Sequence, residues 1–181
     1  RDILGYDTVI YDEEGICDDF EGLNGADVSY RRCLVRHSKP RKGGFSALFG
    51  PTEIELVQRI DTEAKLSPPK KLYHNRYWGD PGFIHLCFDV QGMDALKEEC
   101  ESKGYPFTVD SASSFDMGEA AGRFTYIEDP DGTLIEFVET HKVPIAKKFG
   151  LFVDMTKRDP EKSLPKWMLQ ALSLSRMKPL S

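Results

Sequence analysis

The sequence predicts an α+β protein made of two βαβββ modules, the first of which lacks its beginning. Two observations lead to this prediction. A strand–turn–strand segment occurs twice, at residues 44–58 and 122–139, and such self-similarity is typical of repeated structural units. The second copy closes a complete β-α-β-β-β module. The first copy closes a module of which only the later part is present.

The composition is that of a soluble globular protein. The chain has 181 residues, of which 40% are hydrophobic and 30% charged, and this length suits one domain or two small halves that share a core. No apolar run approaches the roughly 20 residues that span a bilayer. The formal net charge is −6, and an acidic chain without a long basic stripe is a poor nucleic-acid binder. We therefore expect neither a membrane nor a nucleic acid as partner.

The cysteines and the first residues indicate a cytoplasmic protein. No secretory signal pattern opens the chain. No two cysteines form a CxxC pair or a zinc-knuckle spacing, so we expect reduced thiols, of which Cys87 and Cys100 fall in apolar patterns and should be buried. The cysteines are Cys17, Cys33, Cys87 and Cys100.

The second module is expected at residues 82–140. Residues 83–90 are apolar and β-rich, and Met93, Leu96 and Cys100 recur at helical spacing before Gly104, a natural helix stop. The next strand begins near Tyr105, and a loop rich in small residues crosses 111–122. The closing hairpin turns at Asp129-Pro130-Asp131-Gly132, where proline presets φ and glycine tolerates a positive φ.

The first module is expected at residues 1–58. Residues 1–5 resemble the last turn of a helix that stops at Gly5, residues 7–11 and 28–36 are predicted strands, and residues 45–58 are predicted to form the hairpin. Alignment of Gly5 with Gly104 places the counterpart of His85 before Arg1, so we expect the first strand to be missing. An open sheet edge invites pairing with another chain, which predicts a homodimer.

The remaining segments are a linker and an extension. Residues 59–81 contain Pro68-Pro69 and are polar, which indicates an exposed linker. Residues 141–181 form a C-terminal extension. A short helix is predicted at 163–172, with Ser163 as its N-cap and a proline in its first turn.

Strand parity singles out three side chains. His85 lies on the strand face opposite the apolar residues Ile84, Leu86, Phe88 and Val90. In the same way, Glu136 lies opposite Ile135 and Phe137. Glu55 lies opposite Ile54 and Leu56. A carboxylate in the middle of such a strand is costly unless it is paired or binds a metal. Glu139 has the opposite parity near the predicted strand end, so Glu139→Gln is expected to be nearly silent.

Residues 1–140 resemble the glyoxalase / bleomycin-resistance / extradiol-dioxygenase (vicinal oxygen chelate) superfamily. The resemblance is carried by Gly82-Phe83-Ile84-His85 and by the Asp129-Pro130-Asp131-Gly132 turn with Ile135-Glu136. It implies that two modules form an open, cupped mixed sheet around a divalent metal. Carried over by position, His85, Glu136 and Glu55 are the implied metal ligands, and the usual fourth ligand, a His or Gln, is not in this sequence.

The function implied is that of a metal-dependent lyase or isomerase of glyoxalase type, which acts on a small carbonyl substrate through an enediolate. Imidazole and carboxylate suit zinc, nickel, iron or manganese, and such an ion polarises a carbonyl. Glu136 is the candidate base that moves the proton. The alternatives are an Fe(II) dioxygenase of extradiol type and a non-catalytic protein that sequesters small molecules.

Other polar and aromatic side chains have plainer interpretations. The remaining histidines are expected to be solvated, and they are His37, His74 and His141. The arginines on the strands either hold an anionic substrate or cover a solvated face, and they are Arg31, Arg32, Arg36 and Arg123. The linker aromatics either wall a pocket or anchor the linker, and they are Tyr73, Tyr77 and Trp78.

Overall fold

The computed structural model describes residues 1–16, 21–22, 28–60, 77, 79–111, 115–117, 120–146 and 149–172. The chain divides into two compact units, residues 1–41 with 49–68 and residues 42–48 with 69–181. Cys17, most of the predicted linker, and the linker residues Tyr73, His74 and Trp78 lie outside the described residues. None of the helices in the described part is long and apolar enough to cross a bilayer.

The first unit contains a three-stranded antiparallel sheet in the order β1-β2-β3. The strands are β1 (Thr8–Ile16), β2 (Ser29–Arg36) and β3 (Glu53–Arg59), so the predicted strands at 7–11 and 28–36 are confirmed. Ahead of β1, the Gly5 N–H donates to the carbonyl oxygen of Arg1 at 2.9 Å, and Gly5 has a φ of 72°. This is the helical turn with a glycine stop that the sequence predicts.

The first strand of the hairpin predicted at residues 45–58 is wrong. Residues Ser46–Leu48 form a 3-10 turn, and the antiparallel neighbour of β3 is β2. Phe45 packs instead against a core cluster of the second unit, whereas Leu48 and Phe49 are 59% and 57% exposed. Gly43 has a φ of 101°, a conformation that breaks a strand and that glycine adopts readily.

The second unit has the β-α-β-β-β order that the sequence predicts, with one short additional strand inside it and a further strand and helix after it. Its elements are β4 (His85–Asp89), α1 (Met93–Ser102), β5 (Val109–Asp110), β6 (Phe115–Met117), β7 (Ala120–Glu128), β8 (Leu134–Ala146), β9 (Leu151–Asp154) and α2 (Lys166–Leu172). The sheet order is β4-β8-β7-β5, with β6 on β7 and β9 on β8. Among the strands that the structure describes here, only β4 and β8 pair in parallel, so this is a mixed, open sheet in an α+β protein.

Helix α1 follows the predicted pattern closely. Met93 and Cys100 are 1% and 0% exposed. After the helix, Gly104 has a φ of 84°, its N–H donates to the carbonyl oxygen of Glu101, and the Tyr105 N–H donates to the carbonyl oxygen of Cys100. These paired bonds define a glycine-terminated helix end. The rings of Phe88 and Phe137, both on faces that strand parity assigns to packing, lie 6.3 Å apart, whereas Leu86 of the same face is 41% exposed.

The turn between β7 and β8 is the predicted Asp-Pro-Asp-Gly turn. Oδ1 of Asp129 accepts the N–H groups of Asp131 and Thr133 at 2.9 and 2.7 Å, and Gly132 has a φ of 82°. The aspartate closes the turn on itself, and glycine takes the left-handed position. This turn sets the register in which Tyr126 of β7 lies opposite Glu136 of β8.

The C-terminal extension is part of the core of the second unit. Strand β8 continues to Ala146, past the module end expected at residue 140. Val143, Met155 and Leu164 form a buried cluster, on which α2 packs through Met168, Leu169 and Leu172. The helix is confirmed, but Ser163 is not its N-cap. α2 begins at Lys166, and the Ser163 hydroxyl donates to the carbonyl oxygen of Gly44.

Candidate active site

His85 and Glu136 meet on one face of the second sheet. β4 and β8 run parallel, with His85 in register with Leu134 and Cys87 in register with Glu136. Nε2 of His85 lies 3.0 Å from Oε2 of Glu136, and the two side chains are 22% and 14% exposed. The structure therefore brings two of the three predicted ligands together in a partly buried position.

Tyr126 holds the second carboxylate oxygen of Glu136. Its hydroxyl donates to Oε1 at 2.8 Å, its ring contacts the imidazole of His85 edge-on with centroids 5.4 Å apart, and the residue is 4% exposed. The sequence pattern did not single out this tyrosine. In the structure the Asp129 N–H donates to the carbonyl oxygen of Thr133, and counting outward from that pair places Tyr126 opposite Glu136.

Cys87 is the third group beside Glu136. Contrary to the prediction of a buried residue, Cys87 is exposed, whereas Cys100 is buried as predicted. Desolvation of the thiol, followed by its hydrogen bond to Glu136, raises the pKa of Cys87 to about 12. The thiol therefore stays protonated near neutral pH and donates to the carboxylate, which makes it a poor nucleophile.

Glu55 lies in the first unit, on β3, and is paired there. Its Oε1 accepts the Tyr11 hydroxyl at 2.6 Å and the Arg32 Nε at 2.7 Å, and its side chain is 32% exposed. Leu56, expected to pack on the opposite face, is 58% exposed. Glu53, which lies on the same strand face as Glu55, is paired in the same way with Arg36. Glu55 thus accepts hydrogen bonds from Tyr11 and Arg32 within its own sheet. Its role as a metal ligand remains a prediction.

The strand arginines, His37 and His141 are engaged in local contacts. His37 Nδ1 lies 2.8 Å from the carbonyl oxygen of Lys39. His141, expected to be solvated, lies inside β8 with Nε2 3.0 Å from Oε2 of Glu139 and is 22% exposed, so that expectation is wrong. Tyr77 is 85% exposed. The arginine pairs are Arg31–Asp12, Arg32–Glu55, Arg36–Glu53 and Arg123 with Asp94 and Asp110.

Comparison with known proteins establishes the family. The profile of the Glyoxalase/Bleomycin resistance protein/Dioxygenase superfamily matches residues 25–137. Because this match covers more than half of the chain, the protein belongs to that superfamily. The search of curated proteins returned no match.

Solved structures with the same fold include a glyoxalase family protein from Bacillus cereus. It is 14% identical, with 74% of this chain and 77% of that chain covered and a TM-score of 0.50. A glyoxalase family protein from Enterococcus faecalis is 18% identical, with 72% and 76% covered and a TM-score of 0.38. A fosfomycin resistance protein from Listeria monocytogenes is 25% identical over 32% of this chain and 46% of its own, with a TM-score of 0.27.

The His85–Glu136 pair fits two ligands of one divalent ion. Donors bound at right angles to an octahedral ion at about 2.1 Å lie about 3.0 Å apart, and this is the separation of Nε2 and Oε2. Nδ1 of His85 is buried, which leaves Nε2 as the nitrogen directed at Glu136. Within the described ranges, no cluster of three or more His, Cys, Asp or Glu side chains is arranged to hold an ion, so a complete ligand set needs a further group.

Proposed function

We propose that the protein is a divalent-metal-dependent lyase or isomerase of glyoxalase type that acts on a small carbonyl substrate. The observation that supports this function best is the His85–Glu136 pair, with 3.0 Å between Nε2 and Oε2. In the proposal, both side chains bind the ion, and Glu55 of the first unit is a third ligand. The bound ion would supply Lewis-acid polarisation of the substrate carbonyl.

Glu136 is proposed as the base. It would take a proton from the carbon next to the substrate carbonyl, so that a C–H bond breaks and an O–H bond forms on the carboxylate. It would then return that proton to the neighbouring carbon, while the hydroxyl proton on the first carbon's oxygen passes to the oxygen of the second, so that the bonds balance and the enzyme is unchanged. The Tyr126 hydroxyl on Oε1 keeps the carboxylate in one orientation during both transfers, and fixed orientation of a base is a large part of its catalytic effect.

A non-catalytic small-molecule-binding protein is the second candidate, and one observation favours it. Glu136 already accepts hydrogen bonds from His85, Tyr126 and the Cys87 thiol. A buried carboxylate with that many donors is satisfied without an ion. In this second candidate the group of residues around Glu136 is a polar wall of a binding pocket.

Metal titration separates the two candidates. Protein freed of metal with a chelator is titrated by calorimetry with zinc, nickel, manganese and iron(II). The proposal expects about one ion per chain and, for Glu136→Gln and His85→Gln, affinity reduced at least about tenfold, since loss of even an outer partner of a metal ligand costs about 10–100-fold. Glu101→Gln is the control, because Glu101 is an exposed carboxylate on α1 of the same unit. Failure to bind any of the four ions would favour the second candidate.

The role of Glu55 has its own matched control. Glu53 and Glu55 lie on β3 with the same parity, and each is paired with an arginine of β2. If Glu55 is a ligand, Glu55→Gln weakens metal affinity and Glu53→Gln does not. Equal affinities in both variants would remove Glu55 from the ligand set and leave His85 and Glu136 in it.

A further inference from the structure

A second group of charged side chains lines a cavity that the proposed metal site does not use. The cavity has a volume of about 320 Å³ and its walls include Glu139, His141 and Arg158. Apart from Gln91 and Gly92, its lining residues lie beyond residue 137, where the superfamily match ends. The cavity is therefore built mainly by the C-terminal extension and belongs to this chain rather than to the part shared with the superfamily.

The carboxylate in this cavity is already satisfied. Oε1 of Glu139 accepts the N–H groups of Gly92 and Met93 at 2.6 and 3.4 Å, where α1 begins, and Oε2 lies 3.0 Å from Nε2 of His141. Burial opposes ionisation of Glu139, but the hydrogen bonds from His141, Gly92 and Met93 outweigh it and hold the pKa of Glu139 below its ordinary value. Glu139 is thus ionised at neutral pH with both oxygens in use.

Arg158 has no ion-pair partner among the residues that the structure describes. Its Nε is buried and finds no hydrogen-bond acceptor among the described residues. The acids next to it in sequence are occupied, because Asp154 pairs with Lys157 at 3.0 Å and Asp159 pairs with Lys162 at 3.1 Å. A buried donor without an acceptor costs about 1–3 kcal/mol. Because no carboxylate of the described residues neutralises this guanidinium, its charge is available to an anionic group that enters the cavity it lines.

The planar shape of the guanidinium, the size of the cavity and its apolar wall restrict the class of ligand that could bind there. A planar guanidinium suits a carboxylate or phosphate, which it can bind through two parallel hydrogen bonds. The cavity volume lies at the lower end of the range for small-molecule sites. Met155, which is 4% exposed, and Pro160 supply apolar surface beside Arg158, which suits the carbon body of an organic acid better than an inorganic ion.

We propose that this cavity binds a small organic carboxylate, with Arg158 binding the carboxylate group and Met155 and Pro160 contacting its carbon body. The Glu139–His141 pair also lines the cavity, and Glu139 connects it to the start of α1 through the N–H groups of Gly92 and Met93. The site is independent of the proposed metal centre, because Glu136 and Glu139 have opposite parity on β8.

The test is an NMR titration of the full chain, freed of metal, with succinate as probe. The amide signals of Gly92, Thr156 and Arg158 should shift and saturate. Arg158→Gln should weaken binding at least about tenfold, since a hydrogen bond to a charged group is among the stronger ones. Lys157→Gln, which removes an 83% exposed cation from the same loop, should change affinity by less than about twofold. Glu136→Gln should leave binding unchanged.

Other probes make the test specific. Neutral succinamide should not bind, and inorganic phosphate should bind more weakly than succinate because it lacks the carbon body. If Arg158→Gln does not fold, Arg158→Lys replaces it, because lysine keeps the charge but has no Nε, and its affinity should also fall. The proposal is overturned by any of these results: no saturable shift with succinate, equal effects of the Arg158 and Lys157 variants, binding of succinamide or phosphate as tight as that of succinate, or shifts confined to residues around His85.

Discussion

Glu136 and Glu139 lie three residues apart on β8, and each carboxylate has an oxygen 3.0 Å from a histidine Nε2. The two pairs face opposite sides of the sheet, because the register between β7 and β8 is continuous from Glu136 to Glu139. One strand therefore carries two similar carboxylate–imidazole pairs with different surroundings. Glu136 is bound by Tyr126, whereas Glu139 is bound by the N–H groups that open α1.

Glu139→Gln should destabilise the protein, contrary to the nearly silent effect that the sequence suggested. The carboxylate accepts backbone N–H groups of Gly92 and Met93 and the imidazole of His141, and an amide can accept on only one of its two ends. Loss of charge-assisted bonds at a helix start should lower the free energy of unfolding by about 1–2 kcal/mol. Urea denaturation followed by circular dichroism measures this.

The control for this prediction is Glu101→Gln, an exposed carboxylate on α1. Its effect should stay within about 0.5 kcal/mol of wild type. If the Glu101 and Glu139 variants unfold at the same urea concentration, the contacts of Glu139 contribute no net stability.

The acid sensitivity of the fold should depend on the same carboxylate. The folded pKa of Glu139 lies below its ordinary value of 4.5, so the unfolded chain binds a proton at higher pH than the folded chain does. The stability that Glu139 contributes is complete above the unfolded pKa and is lost as pH falls through the folded pKa. Between neutral pH and acid, wild type should lose more stability than Glu139→Gln. Parallel urea titrations at several pH values measure the difference, and equal slopes would contradict it.

Local signals explain why much of the fold was predictable. The helix stop at Gly104, the turn at Asp129–Gly132 and the period of Met93 and Cys100 depend on residues close in sequence, and each is confirmed. The segment at Phe45 was not predictable in this way, because its apolar residue packs on Val143, Met155 and Leu164, which lie far along the chain. Tertiary packing there overrides an apolar pattern that is also typical of a strand.

For the candidate site too, local signals could select residues, but they could not show which of those residues meet. His85 and Glu136 could be chosen by strand parity and by resemblance to the superfamily. Their meeting at 3.0 Å required the parallel pairing of β4 with β8, a long-range relationship. His141 was missed because β8 was expected to end at residue 140. Once the strand extends to Ala146, His141 lies two residues after Glu139 and reaches it. The register between β7 and β8 shifts at His141, so strand parity alone would not have placed this side chain.

The packing of the C-terminal extension should contribute substantially to stability. Leu164 is 2% exposed, lies in the cluster with Val143 and Met155, and donates its N–H to the carbonyl oxygen of Gly44 at 2.8 Å. Leu164→Ala keeps that backbone bond and removes the packed side chain, so it should cost about 2–5 kcal/mol. Trp167→Ala is the comparison, because Trp167 is 62% exposed and should cost much less. A melting temperature that falls equally in both variants would show that the extension is not part of the cooperative core.

Tyr126→Phe should impair the proposed active site without removing a proposed ligand. The substitution deletes only the hydroxyl that donates to Oε1 of Glu136 at 2.8 Å, and the ring can still contact His85. The carboxylate then loses one of the bonds that orient it, and a positioned base contributes about 10²–10⁴-fold to rate. We therefore expect kcat to fall at least about tenfold with little change in KM, because the lost bond acts on the chemical step and not on substrate binding.

Metal affinity is the second readout for Tyr126→Phe, because a structural role alone would not change it at a temperature where the variant is folded. Calorimetry should give weaker binding of the preferred ion, within the range of about 10–100-fold that loss of a ligand's supporting partner causes. Tyr105→Phe is the matched control, since Tyr105 is 36% exposed and lies just after α1. Wild-type metal affinity and turnover in Tyr126→Phe, with a lowered melting temperature, would reduce the Tyr126–Glu136 bond to a structural contact and remove Tyr126 from the site.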